Sequence, residues 1–268
     1  MNKRSQPVSV FDRNEADRGR RNFVVRFLAG ASALVFAGCD RVSNNHWGSL
    51  VLSGGESANR GAQRVLTSRK ALAQEFTESD LSPDFRSNGT ANPRDEAYQV
   101  LAKNAFRDWQ LKIDGLVQAP YQLSLTQLRA MKARTQITRH DCVEGWSAIG
   151  KWTGVPLGSV LALARPAPQA RYVVFHCADP MDDDGTRYYE SIDLEDAYHP
   201  QTILAYELNG KALPIANGAP VRVRIERQLG YKMAKYIMRI ELVADLKGVG
   251  GGKGGYWEDQ GYEWYAGI

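Results

Sequence analysis

The sequence predicts a β-rich α+β domain, and three observations carry that expectation. From about Tyr98 onward, short runs of apolar and β-branched residues recur between Gly, Asn, Asp and Pro turn signals. Some of these runs alternate apolar and polar residues with period two, and one is apolar almost throughout. The helical stretches between them are short, and roughly 170 residues of this kind can bury one full core.

The elements follow in chain order. Arg64 to Thr77 reads as one short helix. Trp109 to Gly115 reads as a strand closing on an Asp114-Gly115 turn. Tyr121 to Leu125 is a second strand that runs into a short helix, Thr126 to Met131, with Ser124 or Thr126 placed to cap it. A helix starts after Pro156 and covers Leu157 to Ala164. Tyr172 to Cys177 is a buried strand by its apolar run. Asn209-Gly210 marks a hairpin. Val221 to Glu226 alternates with period two, and Tyr236 to Val243 closes the series of strands. No internal repeat is present.

The ends differ in character from this middle. Residues 1–38 read as a leader: the twin-arginine pair Arg20-Arg21 precedes an apolar run, and Phe36-Ala37-Gly38-Cys39 is a lipoprotein-type cleavage box, with a plain secretory signal as the alternative. The twin-arginine route exports folded proteins, which suits a chain that must take up a cofactor before leaving the cytoplasm. If Cys39 becomes the lipidated first residue, the product is a periplasmic protein anchored to the cell membrane. Residues 39–95 are rich in Ser, Asn, Gly and Arg and read as a tether and N-terminal extension. Residues 96–247 form the domain, and residues 248–268 a Gly- and aromatic-rich tail. The tail's Gly248 to Gly255 lacks the order of a phosphate-binding loop, and Asp182-Asp183-Asp184-Gly185 lacks that of a calcium loop.

Charge excludes some partners. The formal net charge is +4, and the leader, with seven Lys/Arg against three Asp/Glu, carries all of it. The remainder is balanced, so nothing argues for nucleic acid as a partner. Outside Cys39 the cysteines are Cys142 and Cys177, which are open to one disulfide or to separate uses.

The chemistry concentrates around Cys142. Arg139-His140-Asp141-Cys142-Val143-Glu144-Gly145 sets the thiol among charged neighbours, and Arg139 and His140 are expected to favour the thiolate. Glu144, two residues on, can point the same way along an extended segment. Downstream, Asn217-Gly218-Ala219-Pro220-Val221-Arg222 and Leu229-Gly230-Tyr231-Lys232-Met233-Ala234-Lys235 interleave Gly with Asn, Arg and Lys. A phosphate and a polar heterocycle require that mixture: exposed backbone N–H groups, and cations for charge.

From about Trp109 to Leu242 these motifs together resemble the oxidoreductase molybdopterin-binding domain. That domain is the core shared by sulfite oxidase, plant-type nitrate reductase and the catalytic subunit of the periplasmic methionine sulfoxide reductase. The resemblance implies a single sulfite-oxidase-type domain carrying a molybdenum-molybdopterin cofactor. It implies that Cys142 ligates molybdenum, with Glu144 close to the metal and Arg139 available to a substrate pocket. It implies that Asn217 and Arg222 grip the pterin and its phosphate, and that Gly230, Tyr231 and Lys232 form a cofactor-holding loop. Asn88 matches an early asparagine contact, and Cys177 stands where that branch carries a threonine. Too little chain follows Leu242 for the C-terminal immunoglobulin-like dimerisation domain of sulfite oxidases, so a monomer is expected.

The expected function is two-electron oxygen-atom transfer, with reduction of a small-molecule sulfoxide or N-oxide as the main reading. Sulfite oxidation at the same site is the alternative, and a non-catalytic cofactor-binding lipoprotein and a cysteine hydrolase using His140 or His176 are two others. No Cys-x-x-Cys-His haem motif and no Gly-x-Gly-x-x-Gly nucleotide motif is present. Electrons are therefore expected to pass through a membrane or periplasmic partner, a haem protein being one candidate.

Overall fold

A computed structural model describes Gly61 and residues 71–268 of the chain. The leader, Cys39 and most of the expected Arg64–Thr77 helix lie outside the described residues. The described end of that expected helix is extended instead, with Glu75 bridging to Thr138. Residues 71–95 pack onto the domain: Phe76 N–H donates to the Ile137 carbonyl and Ser82 N–H to that of Ile149, while Phe85 is buried.

Helix α1 (Glu96–Lys103) opens the next segment and was not anticipated from the sequence. Asp95 caps it by accepting from the Tyr98 N–H, and Tyr98 is the residue it buries. Strands β1 (Gln110–Gly115) and β2 (Tyr121–Ser124) lead into helix α2 (Leu125–Ala130). Ser124 and Gln127 close a reciprocal capping box there, so Ser124 rather than Thr126 is the cap. A long hairpin follows, β3 (Arg134–Cys142) and β4 (Trp146–Pro156), with helix α3 (Leu157–Ala164) directly after it. Then come β5 (Tyr172–Pro180), β6 (Arg187–Asp193), the single turn α4 (Leu194–Ala197), β7 (Ile203–Leu208) and β8 (Lys211–Ala212). The last elements are β9 (Arg222–Arg224), a 3-10 turn at Gly230–Lys232, β10 (Ile237–Val243) and the single turn α5 (Tyr256–Asp259).

Two five-stranded sheets result among the described residues, so the β-rich α+β expectation holds. One has the order β2-β1-β10-β5-β6, with β1 and β10 parallel and the other pairs antiparallel. The other runs β3-β4-β7-β8, and β9 pairs with β7 as well, Ala205 facing Arg222 and Ile203 facing Arg224. The main core includes Trp109, Leu111, Ile113, Phe175, Val223 and Ile240. A smaller cluster of Phe85, Trp152, Ile203, Ala205 and Leu208 covers the opposite face of the second sheet.

That second cluster decides the fate of β9. Val221, Val223 and Ile225 enter the main core, so strand alternation sends Arg222, Arg224 and Glu226 to the other face. The face is not solvated: Arg222 and Arg224 are both 0 % exposed and lie over the Trp152 ring at 5.2 and 4.4 Å. Arg224 pairs with Glu226 at 2.6 Å and donates to His140 Nδ1 at 2.9 Å.

Candidate active site

A cavity of about 190 Å³ opens where the β3–β4 turn, the segment 88–90, the Gly230–Lys232 turn and the C-terminal tail meet. Its lining includes Asn88, Cys142, Glu144, Gly230, Tyr231 and Lys235.

Cys142 ends β3, opposite Trp146 in the hairpin register. The turn Val143-Glu144-Gly145 is tight: Gly145 has φ +83 and its N–H donates to the Cys142 carbonyl at 3.0 Å. Glu144 therefore reaches the cavity from a turn, not along an extended strand. Its carboxylate accepts from Trp146 Nε1 at 2.9 Å.

Arg139 and His140 are not the charges that act on the Cys142 thiol, contrary to expectation. Burial pushes the Cys142 thiol above its ordinary range, and the Glu144 charge adds to this. A backbone hydrogen bond from Glu144 and the charges of Arg222 and Arg86 oppose the rise without overcoming it. Arg139 is three residues from Cys142, so it leaves the strand on the opposite face. There its side chain is exposed and paired with Asp141 at 3.0 Å. His140 is fully buried, and burial first, then the Arg224 charge, holds its pKa well below the usual imidazole value. It is a neutral acceptor for Arg224 and packs on Gly230, where a Cβ would stand 2.4 Å from its ring. His176 lies on β5, in the other sheet, 2.9 Å from Glu241. Neither imidazole is arranged as a base for Cys142, which removes the hydrolase reading.

The cation set also differs from expectation. Lys232 was expected to face the cofactor. Its Nζ is instead 0 % exposed and pairs with Glu190 and Glu258, each at 2.5 Å. Burial works against its charge, but the two carboxylates outweigh it and raise the pKa. The cation on the cavity is Lys235. Its Nζ donates to the carbonyls of Asn88, Thr90 and Ala216 at 2.6, 2.6 and 3.0 Å and forms no ion pair among the described residues, although the charges of Asp179 and Glu144 favour its protonated form. Burial first, then the Arg222 charge, lowers it to about 7. No local pattern singles out Lys235 over Lys232; both stand in the same Gly-led run.

Arg222 sits just behind the cavity. Its Nη1 donates to the Asn217 carbonyl at 3.1 Å and its Nη2 to that of Met233 at 3.2 Å, while its Nε is buried without a partner. Burial, then the Arg224 charge, lowers it to about 9. Asn217 is buried, and its side-chain amide makes a long contact, 3.5 Å, to the Phe85 carbonyl. Gly218, at φ +111, lets Arg222 and Lys235 approach, since a Cβ there would stand about 3 Å from both side chains. Asn88 lines the cavity and its Oδ1 is buried without a partner.

Cys177 departs from the sequence expectation too. It is 3 % exposed, belongs to the main core, and is a free thiol like Cys142, so the two form no disulfide. Burial and the charges of Asp179 and Glu190 hold its pKa far above the usual thiol range. Two residues on, Asp179 lines the cavity, and burial raises its carboxyl to about 6.

Two buried cations bonded to carbonyl oxygens, an unpartnered guanidinium Nε, an unpartnered amide oxygen and one thiol converge here. The Arg222 guanidinium has no ion pair among the described residues and keeps one N–H unpartnered, so its side of the site fits a bound anion, while Glu144 and Asp179 put negative charge on the cavity wall. Together with a soft sulfur donor, this arrangement fits a phosphate-bearing, thiolate-ligated metal cofactor.

Fold and site thus define a cofactor-binding domain, and similarity to known proteins gives the family and its chemistry. The family described as the oxidoreductase molybdopterin-binding domain matches residues 98–247, and the chain belongs to it. It is an enzyme of the sulfite oxidase type, dependent on molybdenum-molybdopterin. The chain is 36 % identical over 92 % of its length, and 87 % of the relative's, to a protein of Azospira oryzae provisionally named as protein-methionine-sulfoxide reductase subunit YedZ1. It is 42 % identical over 52 % of its length to the protein-methionine-sulfoxide reductase catalytic subunit MsrP of Xanthomonas campestris, of which it spans 46 %. It is also similar to the sulfane dehydrogenase SoxCD of Paracoccus pantotrophus, at 22 % identity and a TM-score of 0.47, over 52 % of this chain and 39 % of that one.

Proposed function

We propose that this protein reduces sulfoxides: the substrate oxygen is removed with two electrons and two protons, leaving the sulfide and water. One observation carries the reading against sulfite oxidation. Arg139, the cation expected to draw an anionic substrate, is turned to the far face of β3. The cavity beside Cys142 presents Glu144, Asp179 and aromatic rings, which favour a neutral substrate over sulfite. The names of the Azospira and Xanthomonas relatives point the same way.

In this reading Cys142 is the single protein ligand to molybdenum. Arg222 and Lys235 hold the cofactor's phosphate, Asn88 and Asn217 meet its polar edge, and the backbone at Gly230 and Tyr231 closes over it. The bound cofactor supplies the two-electron oxygen-atom exchange, and the protein supplies orientation and charge. Lys232 and Cys177 stand apart as structural groups. The test is steady-state turnover of molybdenum-loaded protein with a reduced viologen dye and methionine sulfoxide, beside sulfite with a haem-protein acceptor. Turnover of the sulfoxide and not of sulfite supports the reading, and the reverse outcome overturns it.

Export and anchoring belong to the same reading. Arg20-Arg21 sends a folded, loaded protein across the membrane, and Cys39 becomes its lipidated first residue, two acyl chains being enough for stable anchoring. The protein acts as a monomer that receives electrons from a separate membrane or periplasmic subunit, which suits relatives named as subunits. Fractionation tests the leader. With Arg20-Arg21 replaced by Lys-Lys the protein should stay cytoplasmic, and Cys39→Ser should leave it soluble or unprocessed. Wild-type distribution of both variants would refute the assignment.

A further inference from the structure

We propose that the C-terminal tail is the substrate-recognition wall of the site, with Trp257 and Tyr262 as the residues that select the organic substituent of the sulfoxide. This rests on the sulfoxide-reducing reading and deepens it, by naming what distinguishes one sulfoxide from another.

The tail is strapped into the domain. Leu229 N–H donates to the Ala266 carbonyl at 2.9 Å and Ile268 N–H to the Arg227 carbonyl at 3.0 Å. Tyr231 hydroxyl donates to the Glu263 carbonyl at 2.5 Å. Lys232, one residue along the cavity turn, grips Glu258 of α5 in the buried triad with Glu190. Gly255 leaves the room this needs, since a Cβ there would stand 1.9 Å from the Glu258 carboxylate. The same turn that presents Gly230 and Tyr231 to the cavity therefore fixes the tail beside it.

The tail's aromatic residues then divide by role. Tyr256 and Tyr265 are buried packing residues at 8 % and 6 % exposure. Trp257 and Tyr262 line the cavity with Tyr231, and Tyr262 remains 42 % exposed. The Trp257 and Tyr262 rings are stacked, centroids 5.4 Å apart at 29°, and Tyr231 meets Tyr262 edge-on at 5.2 Å and 89°. The Tyr262 N–H donates to the Trp257 carbonyl at 2.9 Å, so a turn holds the stack together. A preformed corner of three rings, opening on the cavity that holds Cys142, suits an uncharged, polarisable body. Sulfur groups and aryl or alkyl chains make favourable contacts with such faces. The class selected is a sulfoxide whose second substituent exceeds a methyl group: an aryl methyl sulfoxide or a methionine sulfoxide side chain.

The experiment uses molybdenum-loaded protein and two probes, methyl p-tolyl sulfoxide and dimethyl sulfoxide. The readout is the ratio of their kcat/KM values in the wild type, Trp257→Ala, Tyr262→Ala and Tyr262→Phe. The ratio should fall by about tenfold in each alanine variant, the scale on which apolar pocket contacts discriminate substrates, chiefly through KM for the aryl probe. Tyr262→Phe, which keeps the ring, should restore it. Calorimetric titration with methyl p-tolyl sulfide should show a matching loss of affinity. Tyr262→Ala, at a half-exposed ring, preserves the test if Trp257→Ala fails to fold. Wild-type ratios in folded, loaded alanine variants would overturn the wall while leaving sulfoxide reduction intact. Loaded wild type that reduces neither probe would overturn both.

Discussion

Arg222 Nη1 donates to the carbonyl oxygen of Asn217 across 3.1 Å, although the guanidinium is wholly buried and its Nε has no partner. Carbonyls orient this charge without neutralising it. Arg222→Ala should therefore lose cofactor rather than merely slow turnover, at a cost of about 2–5 kcal/mol in binding, as when one member of a buried charged pair is truncated. The check is molybdenum per chain after purification. Full occupancy with normal activity would remove Arg222 from the cofactor cradle.

Cys142→Ser should abolish oxygen-atom transfer. The substitution keeps the shape but replaces a soft donor by a hard one. Activity should be lost together with the visible charge-transfer bands of a sulfur-ligated metal. Retention of both would disprove ligation by Cys142.

Lys235 sets a pH dependence. Its folded pKa of about 7 lies below the ordinary 10.5, through burial and the Arg222 charge, which the charges of Asp179, Glu144 and Cys177 only partly offset. Between those values the unfolded chain holds a proton that the folded apoprotein lacks, so stability rises with pH across that window. Compared with Lys235→Met, the wild-type apoprotein should gain stability as pH rises from about 7 towards 10, read as urea midpoints. A bound phosphate would hold the proton on Lys235, so cofactor uptake above pH 7 should consume protons, measurable in buffers of different ionisation enthalpy. Parallel stability profiles for the two proteins would contradict the lowered pKa of this buried amine.

Lys232→Met probes the opposite role. It leaves Glu190 and Glu258 buried and facing each other, and burial already pushes the Glu190 pKa well above the carboxylate range. The apoprotein should lose about 3–5 kcal/mol of stability, the usual cost of breaking a buried pair by removing one partner. Denaturant unfolding of cofactor-free protein measures this. An unchanged apoprotein that fails only to retain molybdenum would return Lys232 to the cofactor.

Much of this architecture could be read from local pattern. The strands at 110–115 and 237–243, the first part of the strand at 172–180 and the helix at Leu157–Ala164 follow from alternation and apolar runs, which act between near neighbours, while the cap of the helix at Leu125–Ala130 was open between Ser124 and Thr126. The turn after Cys142 was also legible, because Gly145 at positive φ is a local feature. The exclusion of Arg139 was legible in principle, since an odd separation of three along a strand places two side chains on opposite faces. Helix α1 was missed although its pattern was legible: Tyr98 is buried, Leu101 and Ala102 pack against the core on the same face, and Asp95 stands at the N-cap.

What only the tertiary structure decided is which polar groups are covered and which cations form ion pairs. Period two separates Arg222 and Arg224 from Val223, but only the packing of Phe85 and Trp152 makes their face an interior. Lys232 and Lys235 lie three residues apart in one motif. One is paired with carboxylates 42 and 26 residues away, and the other donates to carbonyls and forms no ion pair among the described residues. Charge compensation in a buried site is set by distant partners and by loss of water, and neither is encoded within the reach of a local sequence pattern.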